Sequence, residues 1–182
     1  MKASNFFAPH RPAPGNDPNG ILEWRGELAC RMLSPKTKLI VQVFAEVTDY
    51  YTYVYVVSEE GEKLAAGMLT AGWVRSPELS DLRGDLVRVH CPLGREGLTI
   101  REGGFGPLVY YGAAVVARWM GFRGIFSSPD DRSPDATNAW RRIYQRGFAH
   151  SEGEIDVMTY DEACNTGLVV WIASEPADSD DV

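Results

Sequence analysis

Arg101-Glu102-Gly103-Gly104-Phe105-Gly106-Pro107-Leu108-Val109-Tyr110-Tyr111-Gly112-Ala113-Ala114-Val115-Val116-Ala117-Arg118-Trp119-Met120-Gly121 is the stretch that organises this chain. Three of its first six residues are glycine, so the backbone can turn sharply and a ligand can come close to the main chain. Pro107 suits the first turn of a helix, where a missing N–H leaves nothing unpaired. The apolar run behind it reads as a buried helix over 107–120, stopped by Gly121. A helix N-terminus behind a glycine loop offers bare N–H groups to an anion such as phosphate.

Outward from this stretch the pattern alternates. Before it, residues 86–91 read as a strand, 94–97 as a turn and 98–100 as a short strand. Earlier still, 38–47, 51–58 and 63–73 are rich in β-branched and aromatic residues and read as a meander, with a turn at Glu59-Glu60-Gly61-Glu62. Ile21, Leu22, Trp24, Leu28, Ala29, Met32 and Leu33 recur at helical spacing and predict a helix ending before Pro35. After the buried helix, 124–128 predicts a buried strand. Ser133 or Asp135 then caps a helix through Arg146, closed by Gly147. Residues 155–160 and 167–173 finish as strands around a helical turn at 161–165. The order predicts an α/β (α+β) fold with a mixed sheet, in one domain over 21–174. Residues 1–20, with four prolines, read as a flexible arm, and 175–182 as an acidic, disordered tail.

Composition narrows the partners. The 182 residues are 45% hydrophobic and 24% charged, as in an ordinary globular protein with a real core. A net charge of −7 argues against broad binding to nucleic acid and mildly favours a cationic partner. Arg141, Arg142 and Arg146 are a possible local basic patch. Cys30, Cys91 and Cys164 are widely spaced and lack zinc-ligand spacing, so reduced thiols in a cytoplasmic protein are expected. No signal-peptide pattern is seen, and the apolar run near 108–120 is too short to span a bilayer, so no membrane partner is expected.

Arg101-x-x-Gly104-x-Gly106, between strand and helix, resembles the pyrophosphate loop of the GNAT superfamily of N-acetyltransferases, which reads Gln/Arg-x-x-Gly-x-Gly/Ala. Gly147-Phe148, closing the next helix, matches the end of the family pattern Asn-x-x-Ala-x-x-x-Tyr-x-x-x-Gly-Phe, whose Ala falls on Ala139. The resemblance covers 86–148, about a third of the chain. It implies a GNAT-like mixed, mostly antiparallel sheet flanked by helices. It also implies acetyl-CoA as co-substrate, held by Arg101, Glu102, Gly103, Gly104, Phe105 and Gly106. The implied activity is transfer of an acetyl or similar acyl group from CoA to an amine on a small molecule or protein.

The chain departs from the family pattern at the chemistry. In register, the family Asn falls on Ala136 and the family Tyr, which protonates the leaving thiolate in many members, on Ile143. Asn138 and Tyr144 are the nearest candidates for cofactor binding and for the acid, but one residue on a helix is about 100° of rotation. The loop 129–134 is longer than usual, the strand before the glycine loop is interrupted at 94–97, and one N-terminal helix stands where the family has a strand and two helices. His90, on the strand before the loop, has a side chain whose ordinary pKa suits proton transfer, and it reads either as an acid/base group or as a packed histidine. Glu46 is a second candidate base. Tyr51, Tyr53 and Tyr55 share a strand parity and read either as sheet packing or as a substrate wall. Two further functions stay open: a catalytically silent binding or inhibitory module on the same fold, and a nucleic-acid base acyltransferase of the phage type.

Overall fold

The computed structural model describes residues 26–73, 82–90 and 105–173. The loop residues Arg101, Glu102, Gly103 and Gly104, the turn at 94–97, the strand at 98–100, Cys91, the arm 1–20 and the tail 175–182 lie outside them. The elements run β1 (Glu27–Leu33), β2 (Ile40–Val47), β3 (Thr52–Ser58), β4 (Lys63–Leu69), β5 (Leu82–Arg83), β6 (Leu86–His90), α1 (Gly106–Trp119) and β7 (Gly124–Ser127). They continue α2 (Pro134–Gln145), β8 (His150–Glu152), β9 (Ile155–Thr159), α3 (Tyr160–Asn165) and β10 (Val169–Ile172). The strands form one sheet in the order β10-β1-β2-β3-β4-β6-β7-β9-β8, with β5 paired to β6 off this path. Among the described residues every pairing is antiparallel except β6 with β7, which α1 connects. The mixed, mostly antiparallel sheet expected from the sequence is present.

Of the expected N-terminal helix, Ile21, Leu22 and Trp24 lie outside the described residues, and the described part is not helical. Residues 27–33 form β1, an inner strand between β2 and β10. A bulge between Leu28 and Cys30 explains the misreading. It turns Ala29 and Cys30, adjacent in sequence, both into the core at 0% exposure, and Met32 follows them. One extra residue breaks the alternation of a strand, so the apolar positions imitate a helical period.

α1 is the centre of the core. Its residues from Leu108 through Ala117 are all buried, and Arg118 is its exposed residue. A helix apolar on every side needs neighbours on every side. The sheet supplies one of them through Val41, Val43, Ala45 and Val47 of β2 and their partners Thr52, Val54 and Val56 of β3. α2 and α3 also pack on α1. α2 has the opposite character: Ala136, Trp140 and Ile143, at i, i+4 and i+7, are its buried residues. Ser133 caps it by accepting the Ala136 N–H at 3.2 Å, and Gly147 follows it with φ +79°.

Two glycines let these layers close. A Cβ on Gly112 of α1 would lie 2.8 Å from Val43 Cγ1. A Cβ on Gly124, at the start of β7, would run into the Met158 carbonyl oxygen and lie 2.7 Å from Thr159 Cα. The first neighbour is a side chain that can yield; the second is backbone already fixed in a ladder. Gly124→Ala is therefore expected to cost about 3 kcal/mol and Gly112→Ala about 1 kcal/mol, read as urea midpoints at constant slope. The reverse order would contradict the packing described.

Candidate functional site

The parallel pair β6/β7 fixes where the candidate site lies. Its ladder runs Leu86↔Gly124, Val87↔Ile125 and Arg88↔Phe126. The pairing ends at Arg88 and Phe126. Val89 and His90 pair with Leu69 and Met68 of β4, and Ser127 pairs with Asp156 of β9. The ladder of the two parallel strands thus ends at the sheet position from which the chain leads to α1. Arg88 stands at that end, donating to Asp131 at 2.6 Å with its guanidinium 5.2 Å from the centre of the Phe126 ring. On the far side, nearly buried Arg132 ties the end of β7 to β9 by donating to Ser127 and Asp156. It also lies over the Trp140 ring at 5.1 Å, and Trp140 in turn meets Tyr110 edge-on at 5.2 Å.

At the start of α1, Phe105 is 8% exposed and its ring belongs to the core. Gly106 is the first helical residue, and among the described residues a Cβ there would meet nothing within 4 Å.

The face of the sheet turned away from α1 carries most of the remaining candidates. Register alone aligns them: Glu46 opposes Tyr53, Tyr53 opposes Met68, and Met68 opposes His90. One row of side chains thus crosses β2, β3, β4 and β6. Its ends are three strand spacings apart, about 14 Å, so Glu46 and His90 share a face without touching. The next row holds Phe44, Tyr55 and Ala66. The Tyr53 and Tyr55 rings lie 6.2 Å apart, and the Lys63 ammonium sits 4.6 Å over the Tyr55 ring. Burial pushes the Glu46 carboxyl up from its ordinary pKa, and the Lys63 charge acts against that rise. Burial, then Glu46, then Tyr53 raise the Tyr55 phenol. Tyr51 does not join them. It precedes β3 in the turn held by Thr48, whose hydroxyl donates to the Tyr51 carbonyl at 2.9 Å, and it is exposed.

α2 carries the other two candidates. Ala136 and Ile143, at the family's Asn and Tyr positions, are 6% and 1% exposed. Asn138 lies off that buried face and accepts from Arg141 at 3.4 Å, and Tyr144 is 52% exposed. Tyr144 and His90 are not brought together, since α2 packs on α1 and His90 points away from α1.

One polar cluster escaped the sequence reading. His150 Nδ1 lies 2.8 Å from Glu162 Oε1, and its Nε2 lies 2.6 Å from Glu152. Glu152 accepts both terminal nitrogens of Arg123 at 2.9 and 2.7 Å, and Arg123 Nε donates to Asp85 at 2.9 Å. Glu162 is also the capping-box partner of Thr159 at the start of α3. The spacing Thr159-x-x-Glu162 is visible in the sequence; the approach of His150 to it is not. Among the described residues no group of three His, Cys, Asp or Glu side chains is placed to hold a metal. No described helix is long and apolar enough to cross a membrane. Comparisons with protein-family models, with curated proteins and with solved structures find no match to this chain.

The His150 cluster gives stability a pH dependence of defined sign. Burial lowers the imidazole pKa, but hydrogen bonds to Glu162 and Glu152 outweigh it, and the net direction is up. Protonated His150 therefore stabilises the fold below its unfolded pKa of about 6.5, and that contribution is lost as pH rises through the raised folded value. Glu152, held down to about 2 by Arg123 and then His150, contributes above its unfolded value and loses this only in strong acid. The urea midpoint is expected to fall as pH rises from 6 to 8, and His150→Gln is expected to flatten that slope. An unchanged slope in the variant would remove His150 as its source.

Proposed function

We propose that this chain is an acyl-CoA-dependent N-acyltransferase, a divergent relative of the GNAT superfamily, that moves an acetyl or similar acyl group from CoA to an amine. The observation that carries the reading is the β6–α1–β7 unit. It combines a strand, a glycine-rich connecting sequence, a buried helix and a parallel strand, with the ladder between the strands ending at Arg88 and Phe126. A pyrophosphate at the start of α1 meets main-chain donors and the positive end of the helix dipole. Pro107 has no N–H and the Leu108 N–H is bonded to the Phe105 carbonyl at 3.1 Å. Donation there falls to Gly106 and to the loop residues that the family resemblance names, Arg101, Glu102, Gly103, Gly104 and Phe105, of which 101–104 lie outside the described residues. Small residues matter more than cations in such a cradle because the contacts are to backbone.

The acyl thioester then lies at the end of the β6/β7 ladder, with its carbonyl oxygen near backbone N–H groups that no longer serve the ladder. The neutral amine attacks the thioester carbon, the C–S bond breaks, and CoA leaves as thiolate. The proton lost by the amine passes to a base and reaches the thiolate from an acid or from water. His90, on β6 past the last ladder pair, and Glu46, at the other end of its row, are the candidate bases. Asn138, on α2, is at most a peripheral contact to the co-substrate.

A binding module without turnover is the second reading. It is favoured by one observation: buried Ile143 occupies the position of the family's acid, while Tyr144 faces solvent.

Calorimetry with acetyl-CoA tests the proposal. Binding at micromolar to sub-millimolar concentration is expected, and none at near-millimolar CoA would sink it. Gly106→Leu is the variant of choice because, among the described residues, no atom lies within 4 Å of the added Cβ. It should leave the urea midpoint within about 0.5 kcal/mol of the original yet weaken acetyl-CoA at least tenfold. Tyr144→Phe is expected to change kcat by less than about threefold, whereas a catalytic acid typically contributes about a hundredfold or more. A loss of that size would restore Tyr144 to the chemistry.

A further inference from the structure

We infer that His150 is a proton-operated latch that fastens β8, the last strand in the sheet order, to the start of α3, and that β8 opens locally when the imidazole loses its proton. The basis is a count of hydrogens. His150 Nδ1 lies 2.8 Å from Glu162 Oε1, and Nε2 lies 2.6 Å from Glu152 Oε2. Both partners are carboxylates, which accept and do not donate when ionised. A protonated imidazole has one N–H for each of them. The neutral ring keeps a single N–H, and its other nitrogen then meets a carboxylate lone pair to lone pair.

Both carboxylates are tied down by other groups. Glu152 accepts from both terminal nitrogens of Arg123, and Arg123 Nε donates to Asp85. Glu162 accepts the Thr159 N–H at 3.0 Å and the Thr159 hydroxyl at 3.1 Å, which caps α3. The imidazole is therefore the member that gives way. Across the ladder, His150 faces Val157 of β9, and the adjacent Asp156 is engaged by Arg132 and Ser151. The charges acting on the ring are thus those of Glu162 and Glu152; burial favours its neutral form, and the two carboxylates outweigh burial.

β8 has little else to hold it. It spans three residues, none of them buried, and among the described strands it pairs with β9 alone. Ala149 before it and Ile155 after it are 7% and 6% exposed. These two anchors confine the opening to 150–154 and leave the core in place. A short edge segment without buried side chains opens at lower free energy than the fold as a whole. Its release leaves the outer N–H and C=O groups of β9 unpaired, an edge onto which another strand can add. The proton thereby controls one edge of the sheet.

Hydrogen exchange of backbone amides in the full chain tests the latch, with each rate referred to the unstructured rate at the same pH. Amides of 150–157 are expected to exchange faster than those of α1, and to lose at least about threefold in protection between pH 6 and pH 8. Exchange as slow as in α1 would mean that β8 opens only with the whole fold, and would overturn the local release. His150→Gln should remove the pH dependence. Glu162→Gln should shrink it, because glutamine can keep the cap and offer an N–H to the neutral ring. Protection that is unchanged between pH 6 and pH 8 in the original chain, or a loss that persists undiminished in either variant, would overturn the inference. The imidazole resonances of the original chain give a check that needs no variant. The His150 midpoint is expected above the ordinary histidine value of about 6.5, and a midpoint at or below it would also overturn the latch.

Discussion

The burial of α1 is the constraint on which the architecture turns. A helix apolar from Leu108 through Ala117 must be covered on every side, and β1, β3, β4 and β7 as well as β2 pack on it. At Gly112 the approach is close, with Val43 Cγ1 in the space a Cβ would need. Because α1 joins β6 to β7, its seat on the sheet also sets those two strands side by side and parallel.

That parallel pair is what makes the candidate site. Antiparallel neighbours are joined by short turns, whereas a parallel pair requires a crossover, and the crossover places a helix start at the strands' carboxyl ends. Here the ladder ends after Arg88 and Phe126, and each strand continues in the company of its other neighbour. Backbone groups and Gly106 are thereby gathered at one end of the sheet. The opposite face contributes independently. The register of β2, β3, β4 and β6 collects Glu46, Tyr53, Met68 and His90 into a row that no single strand reveals.

Much of this was legible in the sequence, for reasons that differ by element. Gly121 and Gly147 ended helices as read, because positive φ there favours glycine. Ser133 capped α2 as read, because the bond is local. The parity of Tyr53 and Tyr55 was visible because strand side chains alternate. The β1 strand was missed because its bulge disguises the alternation, and because one of its two neighbours, β10, lies more than a hundred residues away in sequence. Lys63 was not singled out because its approach to Tyr55 spans a hairpin whose register includes a bulge at Val56 and Val57. The His150 cluster was missed because Asp85, Arg123, Glu152 and Glu162 reach one another only across separate elements.

The sequence by itself determined the local events: where helices stop, which residues of a strand share a face, and that a glycine-rich turn precedes a wholly apolar helix. These depend on φ preferences, caps and side-chain period, all set within a few residues. Only the tertiary structure decided that 27–33 is a strand, that β6 and β7 run parallel, and that Glu46 stands in line with His90. Those facts depend on which strand lies beside which and in what register. A shift of one residue in pairing would move every side chain of the row to the other face.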